Sequence, residues 1–99
     1  FDGSGFPAGL QGEEIPLGAR IVNLVDSFAA MEAERPYRPK LPPESILDEL
    51  KKEAGKQFDP QLVLKLMHVI DTYQLLDINS GTIEQYRNQL LDHTPELRK

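Results

Sequence analysis

Residues 16–34 read PLGARIVNLVDSFAAMEAE. At 100° per residue, Leu17, Ile21, Leu24, Phe28 and Met31 gather on one face, which predicts an amphipathic helix from Pro16 to Glu34 with that face in a core. Pro16 suits a first helical position, where a missing N–H goes unused. Glu13 and Glu14 just before it place negative charge at the helix N-terminus. The opposite face, Ala19, Val22, Asp26, Ala30 and Ala33, is small and apolar apart from one carboxylate, where a solvated face would show Lys, Glu and Gln. Small residues let another helix or a ligand approach closely. Two readings of Asp26 stay open: an exposed acid on an alanine-rich surface, or a carboxylate in a covered environment that needs a cation, a metal or several donors.

Outward from this helix the pattern repeats. Pro43 to Ala54 predicts a second helix, with Ile46, Leu47, Leu50 and Ala54 at helical spacing and Gly55 as its stop. Asp59-Pro60 is an N-cap followed by proline, opening a third helix over 60–74 with Leu62, Val63, Leu66, Met67 and Ile70 on one face. Thr82 to Gln85 reads as a capping box for a fourth helix ending near His93, with Ile83, Tyr86, Leu90 and Leu91 as its stripe. Before the first helix, glycines at 3, 5, 9 and 12 and prolines at 7 and 16 predict loop over residues 1–16. No segment alternates with period two. The expected fold is an all-α helical bundle of about four helices behind a Gly/Pro-rich loop.

The totals narrow the class. Ninety-nine residues make at most one small domain. A net charge of −5 argues against general nucleic-acid binding, and no apolar run is long enough to insert in a membrane. The chain has no cysteine, which excludes thiolate metal sites and fits a reducing, cytoplasmic setting. Between the first two helices, residues 35–42 form a basic, proline-rich turn. Arg35, Arg38 and Lys40 lie within six residues of one another, with Tyr37 between them. Guanidinium groups pair bidentately with phosphate, although a basic surface turn is the plainer reading.

Three stretches together carry a resemblance: DGSGFPAGLQGEEIPLGARI (2–21), VDSFAAMEAERPYRP (25–39) and AGKQFDPQLV (54–63). In order and spacing they resemble the HD-GYP family over residues 1–70, while residues 71–99 carry no such signature and residues 75–99 read as a C-terminal helical extension. The resemblance implies part of an all-helical HD-type domain: the C-terminal half of a metal-dependent phosphodiesterase that hydrolyses cyclic di-GMP, working in a bacterial signalling protein. It implies iron or manganese in the complete domain and none held by this chain alone. The partners it implies are cyclic di-GMP, the upstream half of the same domain with its histidine motifs, and a GGDEF-type protein or a second copy.

Carried over by position, Asp26 matches a metal-binding aspartate. Gly5 and Phe6 match the Gly-Tyr that lies along the substrate, Arg35 and Arg38 match positions gripping phosphate or guanine, and Asp2, Gly3 and Pro7 match positions that shape the loop. No catalytic residue is expected in this chain. Two departures stand out. Phe6 keeps the ring of the family's tyrosine without its hydroxyl. Ala29 stands where an acid is common. His68 and His93, the chain's two histidines, match none of the family's ligand motifs, and His68 reads as a helix-surface or packing residue. The alternatives to a catalytic part are a degenerate module that binds cyclic di-GMP or a partner without cleavage, and a helical docking module.

Overall fold

The computed structural model describes residues 12–34, 36–37 and 39–98. Four helices follow in order: α1 (Leu17–Glu32), α2 (Pro43–Glu53), α3 (Pro60–Tyr73) and α4 (Ser80–His93). Short 3-10 turns precede α1 at Gly12–Glu14 and follow α4 at Pro95–Arg98. The fold is an all-α helical bundle, as the periodicity predicts. Among the described residues no helix is long and apolar enough to cross a membrane.

The core forms where the four stripes meet. Leu24 and Phe28 come from α1, Ile46, Leu47 and Leu50 from α2, Val63, Met67 and Ile70 from α3, and Ile83 and Leu90 from α4. Phe58 and Leu76 add to it from the connecting turns. Burying a side chain of this size stabilises by about 1.5–3 kcal/mol, so these residues dominate the driving force. Helix α4 packs on both α2 and α3, while α1 meets the same pair. Leu76, Ile83 and Leu90, within the segment expected as a C-terminal extension, belong to this cluster.

The helix ends show how local chemistry sets the boundaries. Helix α1 begins at Leu17, with Pro16 at the cap position, and stops at Glu32, two residues short of expectation. Ala33 turns extended, and the chain returns when the Leu41 N–H reaches the Met31 carbonyl at 3.4 Å. Helix α3 starts as expected: Asp59 caps it by accepting the Gln61 N–H at 2.9 Å, with Pro60 next. It ends on Gln74 in the left-handed region (φ 51°), where the Leu75 N–H bonds the Ile70 carbonyl at 3.0 Å.

Helix α4 begins earlier than the proposed box at Thr82. Asn79 is its cap, and its side-chain oxygen accepts from both the Thr82 N–H (2.8 Å) and the Thr82 hydroxyl (3.1 Å). Asn satisfies an orphan N–H as well as Thr does, and it comes first in the chain. On the far side, Tyr86 lies under the Lys51 ammonium at 5.2 Å, joining α4 to α2. Burial, then the carboxylates of Glu44 and Asp48, raises the Tyr86 phenol above its ordinary value.

Candidate functional site

The turn between α2 and α3 sets the position of α1. Gly55 adopts φ +84°, a conformation that L side chains rarely take. It lets the chain double back, so that the Gly55 N–H meets the Phe58 carbonyl at 2.8 Å and the Phe58 N–H meets the Glu53 carbonyl at 3.1 Å. The Phe58 ring is thereby driven into the core and Asp59 is left at the start of α3. Asp59 is itself buried, and its second oxygen accepts Arg20 Nη1 at 2.6 Å. Arg20 Nε in turn donates to the Ile15 carbonyl at 3.0 Å. Asn23, one turn along α1, donates to the Gln57 carbonyl at 3.0 Å. The Gly-x-x-Phe-Asp-Pro pattern thus has a geometric purpose: its glycine turns, its phenylalanine anchors, and its aspartate caps one helix while holding another.

This clamp ties the N-terminal half of α1 to the turn between α2 and α3. Arg20 and Asn23 take the inward side of the N-terminal half, and Leu24, Phe28 and Met31 continue it. Leu17 and Ile21, expected in the core, are 53% and 42% exposed. Leu17 and Ile21 share the side of Leu24 and Phe28, so their exposure follows from their place in the first turns of α1 and not from its rotation. The charge-assisted pair and the neighbouring amide bond tie this end of the helix to the turn between α2 and α3. Arg20 and Asn23 were not legible as anchors from α1's apolar spacing. The available signal was Arg20, the one cation in α1, and an aspartate elsewhere that could meet it.

The outward face of α1 carries Val22, Val25 and Asp26, all exposed. Of the two surroundings open for Asp26, the described residues give the exposed one, without a hydrogen-bond or ion-pair partner among them. Asp26 lies five residues before Met31, about 7.5 Å along the axis from where the basic, proline-rich turn departs and returns. Within that turn Tyr37 and Lys40 are exposed. Arg35 and Arg38 lie outside the described residues, as do Asp2, Gly3, Gly5, Phe6 and Pro7. His68 and His93 are exposed on α3 and α4, and His68 Nε2 lies 3.5 Å from the Thr72 hydroxyl. Among the described residues no three His, Cys, Asp or Glu side chains gather as a metal site, so these residues do not by themselves fit a resident metal.

Comparison with known proteins bears on residues that the geometry leaves undescribed. Over 73 residues the chain is 40% identical to the 3'3'-cGAMP-specific phosphodiesterase 2 of Vibrio cholerae, covering 74% of this chain and 14% of that protein. It is 41% identical over 78 residues to a cyclic di-GMP phosphodiesterase of Thermotoga maritima, covering 75% of this chain and 21% of the relative. It is 45% identical over 67 residues to the cyclic di-GMP phosphodiesterase response regulator RpfG of Xanthomonas campestris pv. campestris, covering 68% and 18%. The chain thus spans about a fifth or less of the length of these relatives. No solved structure matches it significantly. A family model described as HD domain matches residues 1–62. That match takes in the Gly/Pro-rich loop, α1 and the clamp at Asp59, and with it the chain belongs to the HD domain family, as a segment of HD-GYP type.

Proposed function

We propose that the chain is the C-terminal portion of a metal-dependent phosphodiesterase that hydrolyses cyclic di-GMP in a bacterial signalling protein. The observation that carries this reading is the similarity to proteins named as cyclic di-GMP and 3'3'-cGAMP phosphodiesterases, at 40–45% identity. In this reading Asp26 offers one carboxylate as a metal ligand, from an exposed position flanked by small residues on α1. Gly5 and Phe6 lie along the dinucleotide. Arg35 and Arg38 grip a phosphate or a guanine, the fork of each guanidinium matching two oxygens at once. Asp2, Gly3 and Pro7 hold the loop in shape.

The test is incubation of the full-length protein with Mn or Fe and either cyclic di-GMP or 3'3'-cGAMP. Products are followed by chromatography and binding by calorimetry. Linear dinucleotide is expected from cyclic di-GMP. Asp26→Asn should lower the rate about a hundredfold or more, since even loss of a group that supports a ligand costs 10–100-fold. Arg38→Ala should weaken binding by about 1.5–3 kcal/mol, the worth of a charge-assisted pair. Phe6, which lacks the family's phenolic hydroxyl, favours a second reading in which the dinucleotide binds without being cleaved. Binding with no hydrolysis at any metal concentration would select that reading, and absence of both would remove the two together.

A further inference from the structure

We propose that the groove between α3 and α4 binds a small organic anion, a carboxylate or phosphate monoester carried on an apolar body. The groove is about 430 Å³ and is lined by Leu64, Lys65, His68 and Val69 of α3 and by Arg87 of α4. That volume falls within the range of small-molecule sites. Its charge is out of keeping with the molecule. The chain has 16 acidic residues against 11 basic ones, and the other half-buried cations among the described residues are engaged. Arg20 is paired with Asp59, and Lys51 meets Gln89, Asp48 and the Tyr86 ring.

Arg87 is the contrast. It is half-buried, its Nε is out of contact with solvent, and that Nε has no hydrogen-bond partner among the described residues. Glu84, one turn earlier on α4, is exposed and makes no ion pair with it. Lys65 likewise has no carboxylate partner among the described residues. Asp71, further along α3, is held at 2.5 Å by the Ser80 hydroxyl.

A guanidinium in a fixed fork and an ammonium beside it recognise an oxyanion, and the imidazole of His68 adds a further polar contact. Leu64 and Val69 give the same groove an apolar wall. Val69 is 37% exposed, so this wall is open to a ligand. An inorganic anion would use the cations and leave the wall wet, whereas a neutral apolar molecule would use the wall and leave Arg87 unpaired. An anion with an apolar body uses both.

The experiment is amide NMR on the full chain with four probes: phenyl phosphate, phenylacetate, inorganic phosphate and benzyl alcohol. Phenyl phosphate and phenylacetate should each shift residues 64–69 and 84–91 saturably. The other two should bind about tenfold or more weakly, the difference one charge-assisted pair or a few buried carbons makes. Arg87→Gln should weaken phenyl phosphate binding by about tenfold. Lys65→Gln, at an exposed position that leaves packing intact, should weaken it severalfold. Several results would overturn the proposal: no saturable shift, affinity unchanged in both variants, or either control probe matching phenyl phosphate. Shifts of the same residues that grow with protein concentration alone would give the groove to a second copy. An acidic, leucine-containing peptide binding more than tenfold tighter than phenyl phosphate would give it to a protein partner. Each of these also refutes the assignment.

Discussion

Asp59 receives donors from two helices at once, and the two roles can be separated by substitution. One oxygen takes the Gln61 N–H of α3, and the other takes the Arg20 guanidinium of α1. Asparagine keeps the cap, since Asn ranks with Asp at that position, but it removes the charge. Asp59→Asn should then cost about 1–3 kcal/mol, less than a fully buried pair would lose because the Arg20 side chain is still 14% exposed. Asp59→Ala should cost about 1 kcal/mol more, the typical worth of an N-cap. Urea unfolding of the three forms gives both differences. Equal midpoints for Asn and Ala would mean that the cap contributes nothing. Half of this arrangement was legible beforehand, because Asp-Pro before an apolar run is a helix-start signal. The partner was not, since Arg20 lies 39 positions away and nothing local records that distance.

At the scale of elements, the ends of α3 differ in quality. Its start is capped, but its end places a glutamine in the left-handed region, where a Cβ crowds the following carbonyl. Gln74→Gly should relieve this and stabilise by about 0.5–1 kcal/mol, visible as a higher thermal midpoint with unchanged helicity. A fall in midpoint would mean that the Gln74 side chain makes a contribution larger than the strain. Helix existence and type were readable from the period of apolar residues in all four helices. The start of α4 was misplaced because Thr82 and Asn79 are both good caps. The choice between them belongs to the turn, where Asn79 reaches the Thr82 N–H and hydroxyl together.

For the molecule as a whole, α4 is the element that decides cooperativity. The family match ends at residue 62, yet Ile83 and Leu90 are 1% and 2% exposed against α2 and α3. Leu90→Ala should cost about 2–5 kcal/mol, as large-to-small changes in a packed core do. For a chain this small that is a large share of total stability. Removal of residues 75–99 should abolish the cooperative thermal transition in circular dichroism; a truncated chain that still melts sharply would show that α1 to α3 form a core without α4.

The all-α class, the four apolar stripes and the cap at Asp59 are legible in the sequence because each is written in residues a few positions apart, and the family resemblance because its three stretches keep their order and spacing. Only the folded contacts show that Leu17 and Ile21 are left outside while Arg20 and Asn23 are held against the turn between α2 and α3. Tertiary structure also placed Arg87, whose Nε has no partner among the described residues, in one groove with Lys65. The physical reason is the same in both cases. Apolar periodicity fixes a stripe, but how much of that stripe the neighbouring elements cover, and which polar groups meet, is settled only once the chain has folded.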